Sequence, residues 1–159
     1  MIVLKITLTT ALIMVLIQDI KDRQVYWFLF PIIGLCSGVL LYQNMLPALF
    51  YITIFINFIF IAILVAVVFL YSKIKLKTSI SNTFGLGDGL LFLVLAFSFS
   101  SISFLILFVF GLIFSLTLHL LLKRKLKQIT VPLAGYLSLF FAVTYISYWL
   151  GILKSIYII

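Results

Sequence analysis

Six apolar runs, each broken off by a short polar or charged stretch, organise this chain: residues 2–17, 25–42, 48–71, 87–97, 104–122 and 131–150. Runs of this length and apolarity, with few charges inside them, predict an all-α bundle of six transmembrane helices making one domain over residues 1–159. The run from 90 to 122 is too long for a single helix, which climbs about 1.5 Å per residue through a hydrocarbon layer about 30 Å thick. The cluster Ser98-Phe99-Ser100-Ser101-Ile102-Ser103 divides it into a short fourth span and a longer fifth. No small-x-small cleavage site follows the first run, so it is expected to be a retained helix rather than a signal peptide. In the second run Gly34 and Gly38 lie four apart on one face, where they allow a neighbouring backbone to come close. Asn57 is the one polar interruption of the third run and is expected to face another helix. Pro132 opens the sixth, where a missing N–H costs nothing.

Composition agrees with that pattern. Of 159 residues 66% are hydrophobic and only 9% charged, and mean hydropathy is +1.42. Soluble domains are nearer half apolar and a quarter charged. No stretch has the make-up of a separate soluble domain. Cys36 is the only cysteine, which excludes an intrachain disulfide and a cysteine-cluster zinc site.

The net charge of +8 would suggest nucleic acid in a soluble protein. Here the cations lie between apolar runs, where they report topology and meet anionic lipid headgroups. Lys21, Arg23, Lys73, Lys75, Lys77 and the block Lys123, Arg124, Lys125 and Lys127 fall after the odd-numbered runs, leaving only Lys5 and Lys154 on the other side. The bias of nine against two puts the odd-numbered loops in the cytoplasm and both termini outside. A multi-pass protein of the cell inner (plasma) membrane is expected, and nucleic-acid binding is not.

Only three side chains are acidic: Asp19 and Asp22 in the stretch 18–24 after the first run, and Asp88 at the start of the fourth. All three fall on the cytoplasmic side of this topology. Asp19 and Asp88 each stand at a membrane boundary, where a carboxylate is costly without a purpose. Two carboxylates brought together there share a proton. The ionised one then draws a proton from water while the neutral one protonates a peptide carbonyl, which is hydrolysis without a covalent intermediate and without a cofactor or metal. Gly85, Gly87 and Gly89 surround Asp88 and are expected to permit unusual backbone angles and the approach of an extended substrate.

Rivals for a catalytic role are few. His119, the lone histidine, has no Ser or Cys nucleophile beside it and is expected to be a snorkelling or hydrogen-bonded helix-end residue. The chain has no Glu and no H-E-x-x-H, which excludes that metalloprotease pattern.

The string Gly85-Leu86-Gly87-Asp88 matches the GxGD element of intramembrane aspartyl proteases, and Asp19-Ile20-Lys21-Asp22-Arg23-Gln24-Val25 resembles the first-aspartate segment of type IV prepilin peptidases. Val131-Pro132-Leu133-Ala134 is similar to the proline-containing start of that family's last helix. The resemblance, to the minimal prepilin and archaeal preflagellin peptidases, covers nearly the whole chain. It implies an endopeptidase with Asp19 and Asp88 as catalytic pair, a loop shaped by Gly85, Gly87 and Gly89, and a pilin-like precursor with a short basic leader as substrate. Asp22, Tyr26, Trp27 and Pro132 would support the loop or the substrate, Asp22 alternatively being a solvated turn residue or a helix cap. Spacing to Val25 selects Asp19 over Asp22. Tyr26-Trp27 departs from the family's Pro-Asn, which implies an altered loop or substrate fit. The four-cysteine zinc element and methyltransferase-associated region of larger bacterial enzymes have no counterpart here, so the resemblance implies peptidase activity alone. The contrasting expectation is a non-enzymatic membrane protein, a small ion- or proton-coupled transporter or an assembly scaffold, in which the acids bind cations or stabilise loops.

Overall fold

The computed structural model describes residues 1–76, 85–122, 131–154 and 156–157. Six α-helices follow one another: α1 (Ile2–Lys21), α2 (Leu29–Gln43), α3 (Pro47–Tyr71), α4 (Leu86–Leu95), α5 (Ser101–Leu122) and α6 (Leu133–Trp149), with a π-helical turn Ser72–Leu76 prolonging α3. The all-α expectation holds. Lys77 and the basic block at 123–127 lie outside the described residues.

Three of the helices, α1, α3 and α5, are long and apolar enough to cross a membrane. The other three have 15, 10 and 17 residues, or about 22, 15 and 26 Å at 1.5 Å per residue. They are shorter than the hydrocarbon layer. The outer surface is apolar where a soluble protein's would be polar: Ile6, Phe55, Ile63, Val67, Phe110 and Ile113 are all exposed. Such a surface is suited to lipid.

Three boundaries differ from the hydropathy pattern. Helix α1 runs through the charged residues to Lys21, so Asp19 belongs to its last turn rather than to a loop. Hydropathy stops at the first polar side chains, but polar side chains interrupt no backbone bond, and Asp19 among them faces the cavity described below. Helix α2 starts at Leu29, after a turn that contains Trp27 and Phe28. Pro132 caps α6 from outside, and its carbonyl accepts the Tyr136 N–H at 3.1 Å.

Helix α1 packs most extensively against α6, running antiparallel to it, and also against α2; α6 packs on α5, and α4 on α2. At one end Lys5 lies 5.2 Å over the Trp149 ring, joining the start of α1 to the end of α6. Gly34 and Gly38 do face a neighbour: Val94 and Phe97 of the α4 segment stand where their side chains would reach, at 3.4 and 3.6 Å.

Between α4 and α5, residues 96–100 leave the helix in the protein interior. Freed carbonyls at such depth need partners from the protein itself. Asn57 of α3 supplies them, donating from Nδ2 to the carbonyls of Ala96 at 2.9 Å and Phe99 at 3.1 Å. The Tyr145 hydroxyl of α6 donates to the Ser98 carbonyl at 3.1 Å. Phe99 fills the space beneath, its ring 5.5 Å from Phe141 and 4.9 Å from Tyr145. The break between α4 and α5 therefore falls at the serine cluster, as expected, and Asn57 turns inward onto that break rather than onto a helix.

Candidate active site

The last turn of α1 and the first turns of α4 and α6 converge at one end of the bundle, and each of the three contributes to a single polar site. A helix N-terminus leaves amides without intrahelical acceptors and carries partial positive charge. At the start of α6 two of those amides, consecutive in the chain, are taken by carboxylates. Ala134 N–H donates to Asp88 Oδ1 at 2.8 Å. Gly135 N–H donates to Asp19 Oδ2 at 2.6 Å. The structure thus brings Asp19 and Asp88 together, 69 positions apart in the sequence.

Their surroundings are not equal. Asp19 is buried, 8% exposed, on the final turn of α1. Asp88 is half-buried in the first turn of α4, where that helix's own N-terminus adds favourable charge. Both open on a cavity of about 570 Å³, which Arg23, Trp27, Phe30 and Gly85 also line.

Close approach is what allows the pairing. A Cβ on Gly135 would lie 3.1 Å from Asp19 Oδ2, 3.2 Å from Asp19 Cβ and 3.4 Å from the Leu16 carbonyl. Glycine at 135 therefore lets α1 and α6 close up until the carboxylate meets the amide. Gly85 has a similar use, since its Cβ would stand 3.1 Å from Asp88 Oδ2. Gly87 is different: the nearest atom is the Phe30 ring at 3.8 Å, ordinary contact. Among the described residues only Gly151 has a positive-φ glycine backbone. Gly85, Gly87 and Gly89 thus supply no unusual backbone angles, contrary to the expectation; at Gly85 the value is space.

The other expected residues divide. Trp27, 73% exposed, stands at the cavity wall. Tyr26 is exposed as well; its N–H donates to Gln18 Oε1 at 3.0 Å and its ring stacks on Phe28. Pro132 holds the position just before the two donor amides. Asp22 is an exposed C-cap of α1 and lines a separate small cavity with Gln18 and Tyr26. It is not part of the pair. His119 is buried in α5 rather than snorkelling, and does not line the carboxylate cavity. Among the described residues no cluster of three or more His, Cys, Asp or Glu could hold a metal.

Two residues of the site escaped the sequence pattern. Gly135 sits in an apolar run with nothing to mark it. Arg23 reads in the sequence as one more topology charge, yet it faces the cavity, and its φ of 55° makes it the only non-glycine residue with positive φ among those described. No known family, curated protein or solved structure matches the chain.

Proposed function

We propose that this protein is a membrane aspartyl endopeptidase resembling the prepilin peptidases, with six spans, both termini outside and its carboxylate pair at the cytoplasmic face. The observation that carries the reading is the seating of Asp19 and Asp88 on the consecutive amides of Gly135 and Ala134, at the mouth of one cavity.

Asp19 has one oxygen engaged by the Gly135 amide, which leaves the other for water or substrate, while Asp88 is held by the amides of both Ala134 and Gly85. In the reaction, the ionised member takes a proton from a water molecule as its oxygen attacks the scissile carbonyl carbon. The protonated member gives its proton to the carbonyl oxygen, forming a neutral gem-diol. The first carboxyl then gives its proton to the amide nitrogen while the second takes one back from a gem-diol hydroxyl, the C–N bond breaks, a carboxylic acid and an amine leave, and the pair is restored to its starting state. Two amides fixed at a helix end hold the acids in place through both steps without reorganisation. A substrate with a short basic leader ahead of an apolar helix suits the site, since the leader stays in water beside the carboxylates and the helix stays in lipid.

The test is cleavage of a pilin-like precursor by the purified protein in lipid nanodiscs, with Asp19→Asn and Asp88→Asn beside the wild type. Both variants should lose cleavage. Undiminished cleavage by either sinks the pair, and would favour a non-enzymatic membrane role for the acids.

A further inference from the structure

Arg23 follows the C-cap of α1, Asp22, and adopts the left-handed backbone with φ 55°. One residue past a helix end this conformation is common, and glycine usually fills it, because any side chain crowds the next carbonyl. Arginine at 23 therefore occupies a backbone position that glycine would serve better. Nothing about ending α1 calls for a guanidinium. The side chain turns inward instead: Nη1 is buried, and the residue lines the same cavity as both carboxylates. Its charge acts on Asp19, on Asp88 and on the Tyr136 hydroxyl. Backbone strain kept beside a polar cavity belongs to a side chain needed there.

We propose that Arg23 is a positioning residue of the carboxylate pair, whose guanidinium at the wall of their shared cavity keeps at least one of Asp19 and Asp88 ionised. The inference rests on the reading of the two acids as one working pair. Mutual repulsion drives a carboxylate pair to take up one proton, and burial favours a second, after which neither member can take a proton from water. A fixed cation at the cavity wall opposes both effects.

Few other described groups compete for this role. Helix α6 presents Tyr136, a neutral phenol at this pH. Helix α2 adds the apolar Phe30 to the cavity, and α4 adds only Asp88 itself among glycine and leucine. Lys21 and Asp22, neighbours on α1 and its cap, are exposed.

Infrared difference titration of the full chain in lipid nanodiscs reads the pair directly. The chain has three acidic side chains, so Asp19→Asn and Asp88→Asn suffice to assign the signal. In Arg23→Gln and Arg23→Gly the protonation midpoint of the pair should rise by about one pH unit, while Arg23→Lys stays close to the wild type. Arg23→Gly should melt at the same temperature as the wild type or higher, since it relieves the backbone. A wild-type titration in Arg23→Gly overturns the proposal. So does a lowered melting temperature in that variant, because the arginine would then be holding the fold. The titration needs no cleavage: a shifted midpoint in a protein that cuts no precursor keeps this inference and removes the peptidase reading, and cleavage with an unshifted midpoint does the reverse.

Discussion

Asp19 and Asp88 are held by neighbouring amides of one peptide segment, so that moving either carboxylate means moving the start of α6. The two acids come from different helices, and α6 is the common ruler that sets their spacing. Rigid placement of this kind is what a two-acid mechanism requires, since an error of about 1 Å costs on the order of a hundredfold in rate.

Asn replacements test the pair without dismantling it. An Asn oxygen can still accept the Gly135 or Ala134 amide, so the fold of Asp19→Asn and Asp88→Asn should hold, with melting temperatures near the wild type. Each variant should lose cleavage by about 10²–10⁴-fold, the usual contribution of a general acid or base. The double variant should lose no more than the worse single one, because the two act as a unit. Additive losses in single-turnover assays would contradict this.

Gly135→Ala places a methyl group 3.1–3.4 Å from Asp19 Oδ2 and Cβ and the Leu16 carbonyl, so the Asp19 side chain or the α1 backbone must give way. Overpacking of this sort costs about 1–3 kcal/mol and pushes Asp19 off its amide. Lower thermal stability together with strongly reduced cleavage is expected.

The GxGD glycines should part company. Gly85→Ala presses on Asp88 Oδ2 and should cut cleavage while leaving the melting temperature almost unchanged. Gly87→Ala meets Phe30 at ordinary distance and should be tolerated in both measurements. Equal losses from the two would show that backbone freedom, not space, is what these glycines provide.

The buried link at 96–100 offers a stability test remote from the acids. Asn57→Leu leaves the Ala96 and Phe99 carbonyls without their donor, each at about 1–3 kcal/mol when buried. Tyr145→Phe removes one bond to the Ser98 carbonyl and keeps the ring on Phe99, for a loss of about 1 kcal/mol. Denaturant titration in mixed micelles should rank them in that order.

Hydropathy alone was enough to locate all six helices, because lipid-facing and core-facing residues alike must be apolar in this setting and the breaks fall where polar residues gather. Asp19 and Asp88 also stand out in the sequence, since carboxylates are so rare in it. The start of α6 does not. Its contribution is two backbone N–H groups, which every residue but proline possesses, and they reach partners 46 and 116 positions away.

For the same reason glycine counts differently in sequence and in space. Gly85, Gly87 and Gly89 form a visible motif, yet one of the tightest approaches at the site belongs to Gly135, alone in an apolar helix. Arg23 carries the same lesson for charge: in the sequence it is one cation of eleven, and only its left-handed backbone and inward side chain set it apart. Composition and hydropathy thus determined the long apolar helices and the candidate acids, because these follow from local transfer energies. Which amides, which glycine and which cation serve the acids was decided by tertiary packing, because close approach between α1, α4 and α6 depends on the whole bundle.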